Sequence, residues 1–118
     1  MKHNFEQHVR DIFDAAAKAA EMASAARELP GPNSQQGTRR GEADLVVRDA
    51  SKRLLTALGN VTQLTEIETG LWVVGDFTRW AADSALSVKE AAVDAALSVF
   101  TGGIDEADGR FFAPSWVE

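Results

Sequence analysis

A chain of 118 residues with 45% hydrophobic content and a formal charge of −6 has the size of one globular domain. With no cysteine, a disulfide framework, a thiolate zinc site and thiol chemistry are excluded, and no apolar run reaches membrane-spanning length. The negative field disfavours direct contact with nucleic acid or an anionic membrane and favours a basic protein partner; the polar Met1–Arg10 start does not read as a secretion signal, so a cytoplasmic location is expected, bacterial or, for a phage-encoded chain, in the host.

The first expected element is a helix over about residues 4–28. Phe5, Val9, Ile12, Ala16, Ala19, Ala23 and Ala26 recur at alternating three- and four-residue steps, which gathers them on one side of a helix. Leu29-Pro30-Gly31-Pro32 stops it, because proline removes a donor and restricts its predecessor, and a polar linker over 30–39 follows. A second helix is expected over about 40–58, with Ala43, Val47, Ala50, Leu54 and Ala57 on one side and Gly59-Asn60 as a left-handed stop.

The third and longest helix is expected over about 63–100. Ile67, Leu71, Val74, Ala81, Ala85, Val88, Ala92, Ala95 and Val99 form its seam, and Thr65 with Glu68 has capping-box spacing. Gly75 marks a bend. A second apolar stripe, Leu86, Val93, Leu97 and Phe100, lies about 120° round the same helix. Gly102-Gly103 ends it, Asp105, Glu106 and Asp108 before Gly109 read as a turn, and a tail over 102–118 carries Phe111, Phe112 and Trp116. These elements add up to an all-α, antiparallel bundle of three main helices in a single domain, 1–118. Two apolar sides on one helix, and alanine-rich seams that bury little area each, point to a homodimer.

Familiar catalytic signatures are absent: no phosphate loop with lysine, no dinucleotide fingerprint, no His-Glu-x-x-His. His3 and His8, five apart, do not share a helix face, so neither a metal pair nor a Ser-His couple is expected, and no cofactor. What remains is charge. Asp76, Asp83 and Glu90 recur every seven residues and Asp94 follows one turn later; on a continuous helix they fall within an arc of about 40°, with Trp72 and Trp80 at its edges. An acidic ridge flanked by indoles suits an arginine- or lysine-rich surface through ion pairs and cation–π contact. The plainer reading of the same acids is a solvated face.

The function expected from this pattern is a non-enzymatic interaction module that binds or blocks a basic, nucleic-acid-binding partner protein, as phage-encoded inhibitors of bacterial defence systems do; Phe111, Phe112 and Trp116 either fold back onto the bundle, as large apolar side chains more often do, or form a further docking segment. One alternative is a phage or bacterial assembly component, connector-like or chaperone-like. Another is an all-α, metal-dependent nucleotide hydrolase, for which Asp11, Asp14, Glu90 and Asp94 would have to converge. A nucleic-acid binder using Arg39, Arg40, Arg48, Lys52 and Arg53 ranks behind these, since acids dilute the basic stretch.

Overall fold

The structure, a computed structural model, describes residues 2–27, 41–79 and 86–117. The expected linker over 30–39 lies outside the described residues. In chain order the elements are α1 (Lys2–Arg27), β1 (Gly41–Ala43), β2 (Val46–Arg48), α2 (Lys52–Gly59), β3 (Leu64–Glu68), β4 (Leu71–Val74), α3 (Leu86–Gly103), β5 (Arg110–Phe112) and β6 (Ser115–Val117). The fold is α+β, with two antiparallel sheets, and not the all-α helical bundle that the spacing suggests. The first helix and the Gly102-Gly103 stop stand where the sequence puts them. None of the described helices is long and apolar enough to cross a membrane.

The long third helix is the largest correction. Its first third is a hairpin, β3 and β4 joined by Thr69-Gly70, and among the described residues the helical part is α3, Leu86–Gly103. Leu64, Ile67, Leu71 and Val74 do sit at helical spacing, but this stretch is rich in β-branched residues, and Gly70 (φ 79°) and Gly75 (φ 55°) adopt the left-handed conformation that turns the chain at either end of β4. Gly75 therefore ends a strand where the sequence suggested a bent helix. The expected second helix shrinks likewise. Its first half is β1 and β2, and α2 starts after Ser51, whose hydroxyl accepts the Leu54 amide as N-cap. Helix α2 stops at Gly59 as expected, but Asn60 closes it in a right-handed conformation (φ −82°). The tail, expected without regular structure of its own, is also strand, β5 and β6.

The main sheet has the order β3-β4-β2-β5, and β1 pairs with β6. These two sheets are one ribbon in register. Gly41 faces Val117, Ala43 faces Ser115, Val46 faces Phe112 and Arg48 faces Arg110 with no slip between. The Asp44 amide still bonds the Pro114 carbonyl (3.1 Å), so the ladder is broken only where Pro114 has no N–H to return. Side chains alternate along this ribbon. Ala43, Leu45 and Val47 are buried on the inner face, where α3 lies across β1 and β5 and α1 packs on α3 and α2.

Both apolar stripes of α3 are accounted for by this layering: one side meets α1, the other meets the sheet. Aromatic contacts run through the layers, Phe13 to Phe77 (centroids 5.5 Å), Phe77 to Phe100 (5.9 Å, edge-on) and Phe100 to Phe111 (4.8 Å, stacked). Buried Lys89 ties α3 to β1, its Nζ donating to the Gly41 carbonyl (2.9 Å) and to Glu42 Oε1 (3.3 Å).

The turn before β5 fastens α2. Asp108 Oδ1 accepts from Ser51 Oγ (2.8 Å) and Arg53 Nε (2.9 Å), and its Oδ2 accepts from Arg53 Nη2 (2.7 Å). Arg53 also lies over the Phe5 ring of α1 (3.9 Å to the centroid). The hydrogen bond from Arg53 holds the Asp108 carboxyl below its ordinary range, against the opposing pull of burial and with help from Ser51. A depressed folded-state pKa contributes stability above the unfolded value of about 3.9, lost as pH falls through that value towards the folded one. Asp108→Asn should therefore lower Tm at neutral pH, and the gap to the parent protein, followed by thermal unfolding across pH, should narrow in acid.

Candidate protein-interaction face

The outer face of the sheet follows from the same alternation. Ribbon residues 42, 44, 46 and 48 alternate to the face opposite Ala43, Leu45 and Val47, beside 116, 114, 112 and 110, with Glu42 reaching round the edge to Lys89 of α3, and Val73 and Leu71 of β4 extend two of the rows. Read across the strands, the rows are Glu42 beside Trp116, Asp44 beside Pro114, Val46 between Val73 and Phe112, and Arg48 between Leu71 and Arg110. Among the described residues no helix covers this face. Phe112 and Trp116 remain 45% and 50% exposed, whereas Val46 among its row neighbours is only 4% exposed. The Arg48 guanidinium lies 5.9 Å from the centre of the Phe112 ring.

Charge divides the face lengthwise. Arg48 and Arg110 mark one end, and Glu42 and Asp44 the other, with Asp76, from the loop after β4, close enough to act on Asp44. Burial pushes the half-buried Asp44 carboxyl up from its ordinary value, and Glu42 and Asp76 push it further in the same direction. A carboxylate kept in such a setting lowers folded-state stability at neutral pH and gains from an arriving cation. The Asp76 carboxylate is itself oriented by the Thr78 amide and hydroxyl, 3.0 Å each.

The expected acidic ridge does not exist as one element. Asp76 is in a loop, Glu90 and Asp94 are on α3, and Asp83 and Trp80 lie outside the described residues. Glu90 accepts from the Ser115 hydroxyl (2.7 Å), which joins α3 to β6, while Asp94 is exposed one turn on. Trp72 points inward, half-buried against the core, and flanks no acid ridge. Of the three tail residues, Phe111 is turned in to stack on Phe100, and Phe112 and Trp116 are turned out. Sequence reasoning missed Glu42 and Asp44, although their alternation with Ala43, Leu45 and Val47 is a strand signal.

For the hydrolase alternative, Asp11 and Asp14 are exposed on α1, and no group of three or more His, Cys, Asp or Glu side chains gathers to hold a metal among the described residues. Compared with protein-family models, curated proteins and solved structures, the chain matches none.

Proposed function

We propose that this protein is a non-enzymatic interaction module that takes a basic surface of a partner protein onto the open face of its sheet, blocking what that surface would otherwise bind. The observation that carries the reading is the placement of half-exposed Trp116 and Phe112 on the same face as Asp44, with Asp76 close enough to act on Asp44 and with Glu42, already paired with Lys89, at the margin. Aromatic rings next to carboxylates bind guanidinium or ammonium groups by stacking and ion pairing together, and exposed large rings are where interface energy concentrates. The chemistry is that of the expected ridge. Its location is different, on strands and not on a helix.

The test is affinity capture from the native host with mass-spectrometric identification, comparing the parent protein with Asp44→Asn, Trp116→Ala and, as a control on α1, Asp11→Asn. A basic protein should be retained by the parent and the control and released by moderate salt. Trp116→Ala should weaken its binding by about 2 kcal/mol or more. Asp44→Asn should weaken binding while raising the Tm of the free protein, since it removes a charge the fold holds at a cost. Equal retention by all four proteins, or no enrichment of basic proteins, would sink the proposal.

A further inference from the structure

The two edges of the main sheet are differently equipped. Edge strand β3 carries exposed Glu66 and Glu68 with a bulge between them, devices that keep an edge from pairing with another chain. On the opposite side, β5 and β6 form a line from Arg110 to Val117, and no strand pairs with its free side among the described residues. A groove of about 350 Å³ runs beside this edge, between Thr101, Ile104 and Glu106 on one wall and β5 on the other.

The direction of the backbone groups on this edge can be fixed. In an antiparallel ladder, residues that bond the neighbouring strand alternate with residues whose N–H and C=O point away from it. The Asp44 amide bonds the Pro114 carbonyl, and the Leu45 carbonyl accepts from the Val74 amide on the other side (2.8 Å). Residues 110, 112, 114 and 116 therefore bond inward, and Phe111, Ala113 and Ser115 present their N–H and C=O outward. The missing N–H of Pro114 falls on the inner side. Proline usually blunts an edge, but here it leaves the outward donors intact.

We propose that this edge pairs with the same edge of a second copy of the chain, antiparallel about a two-fold axis at Ala113. Ala113 then exchanges both backbone bonds with its counterpart, and Phe111 does so with Ser115 of the partner subunit. On the open face the intervening pairs, where side chains come closest, set Arg110 against Trp116 of the partner subunit and Phe112 against Pro114 of the partner subunit. The sequence Arg-Phe-Phe-Ala-Pro-Ser-Trp thus complements itself about its central alanine, cation to indole and ring to ring. An axis at Phe111 sets Arg110 against Phe112 of the partner subunit, and one at Ser115 sets Pro114 against Trp116 of the partner subunit, so neither brings Arg110 and Trp116 together. Only the alanine register engages both of the exposed rings. This dimer rests on the open edge and not on the basic-partner reading.

Sedimentation of the full chain from micromolar to sub-millimolar concentration tests it. A dimer is expected, holding or tightening as salt rises, because each copy carries −6 and salt screens the repulsion; binding of a basic partner has the opposite salt dependence. Ala113→Pro removes one outward N–H per copy without touching the inward ladder, and should weaken the dimer at least about tenfold with the circular dichroism unchanged. Arg110→Ala with Trp116→Ala should weaken it comparably, and Ile67→Lys on the β3 edge should leave it intact. A monomer at every concentration, or a dimer that survives the edge substitutions, overturns the proposal. Should Ala113→Pro fail to fold, the Arg110 and Trp116 pair of substitutions decides alone.

Discussion

Phe100→Ala should remove about 3–5 kcal/mol of stability, the range for truncating a fully buried aromatic. Phe100 is 0% exposed and its ring touches both Phe77 and Phe111, so the substitution empties the point where the loop after β4, α3 and β5 meet. Domains of this kind are stable by about 5–15 kcal/mol, so the loss takes a large share of the total. Urea unfolding should show a lower midpoint with little change in slope. Hydrogen exchange in β5 should accelerate more than in β3, since Phe111 loses the ring it stacks on and the hairpin strand does not. Equal acceleration in both strands would mean that Phe100 supports the whole fold and not β5 in particular.

Gly103→Val should fail for the opposite reason, by adding volume. A Cβ at Gly103 overlaps Ile12 Cδ1 of α1 and comes within 2.9 Å of its Cγ1, so both the tip and the stem of Ile12 must shift. His8, one turn earlier on α1, also contacts the Gly103 carbonyl (2.6 Å), which leaves the two helices little room to separate. Overpacking of this sort costs about 1–3 kcal/mol. Ile12→Ala in the same chain should return part of that loss, so the double mutant should be more stable than the two single effects predict, with coupling of about 0.5–3 kcal/mol. Strict additivity in chemical denaturation would show that the two side chains do not compete for the same space.

Local pattern reveals those parts of this fold that local interactions decide. Helix α1 has an uninterrupted apolar stripe and a proline-rich stop, and α3 from Leu86 onward has its stripes and its glycine pair; both are legible. The hairpin is not, because Leu64, Ile67, Leu71 and Val74 satisfy helical spacing as well as they fill a strand pair. What decides is non-local: Val73 needs Val46, 27 residues back, and Val46 needs Phe112, 66 residues on. The alternation over 41–48 and the Thr69-Gly70 turn were available as strand signals and outweighed by alanine and leucine spacing. The same ambiguity scattered the candidate site. The sequence treats Phe111, Phe112 and Trp116 as one unit, folded back or displayed together, and only strand alternation separates inward Phe111 from outward Phe112 and Trp116. Asp76 joined the wrong acids because the intervening chain is not a single helix.

The ribbon that pairs 41–48 with 110–117 also sets the order in which the molecule can be made. Strand β2 lies between β4 and β5, so during synthesis one side of a central strand stays open until residues 110–117 have left the ribosome. Helix α1 and the β3–β4 hairpin can form on the nascent chain from neighbouring residues alone. The sheet centre cannot close, and Phe100 has no Phe111 to stack on, until residues 110–112 have emerged. A chain stalled before Arg110 would expose one side of β2 and the Phe100 ring together to chaperones and proteases.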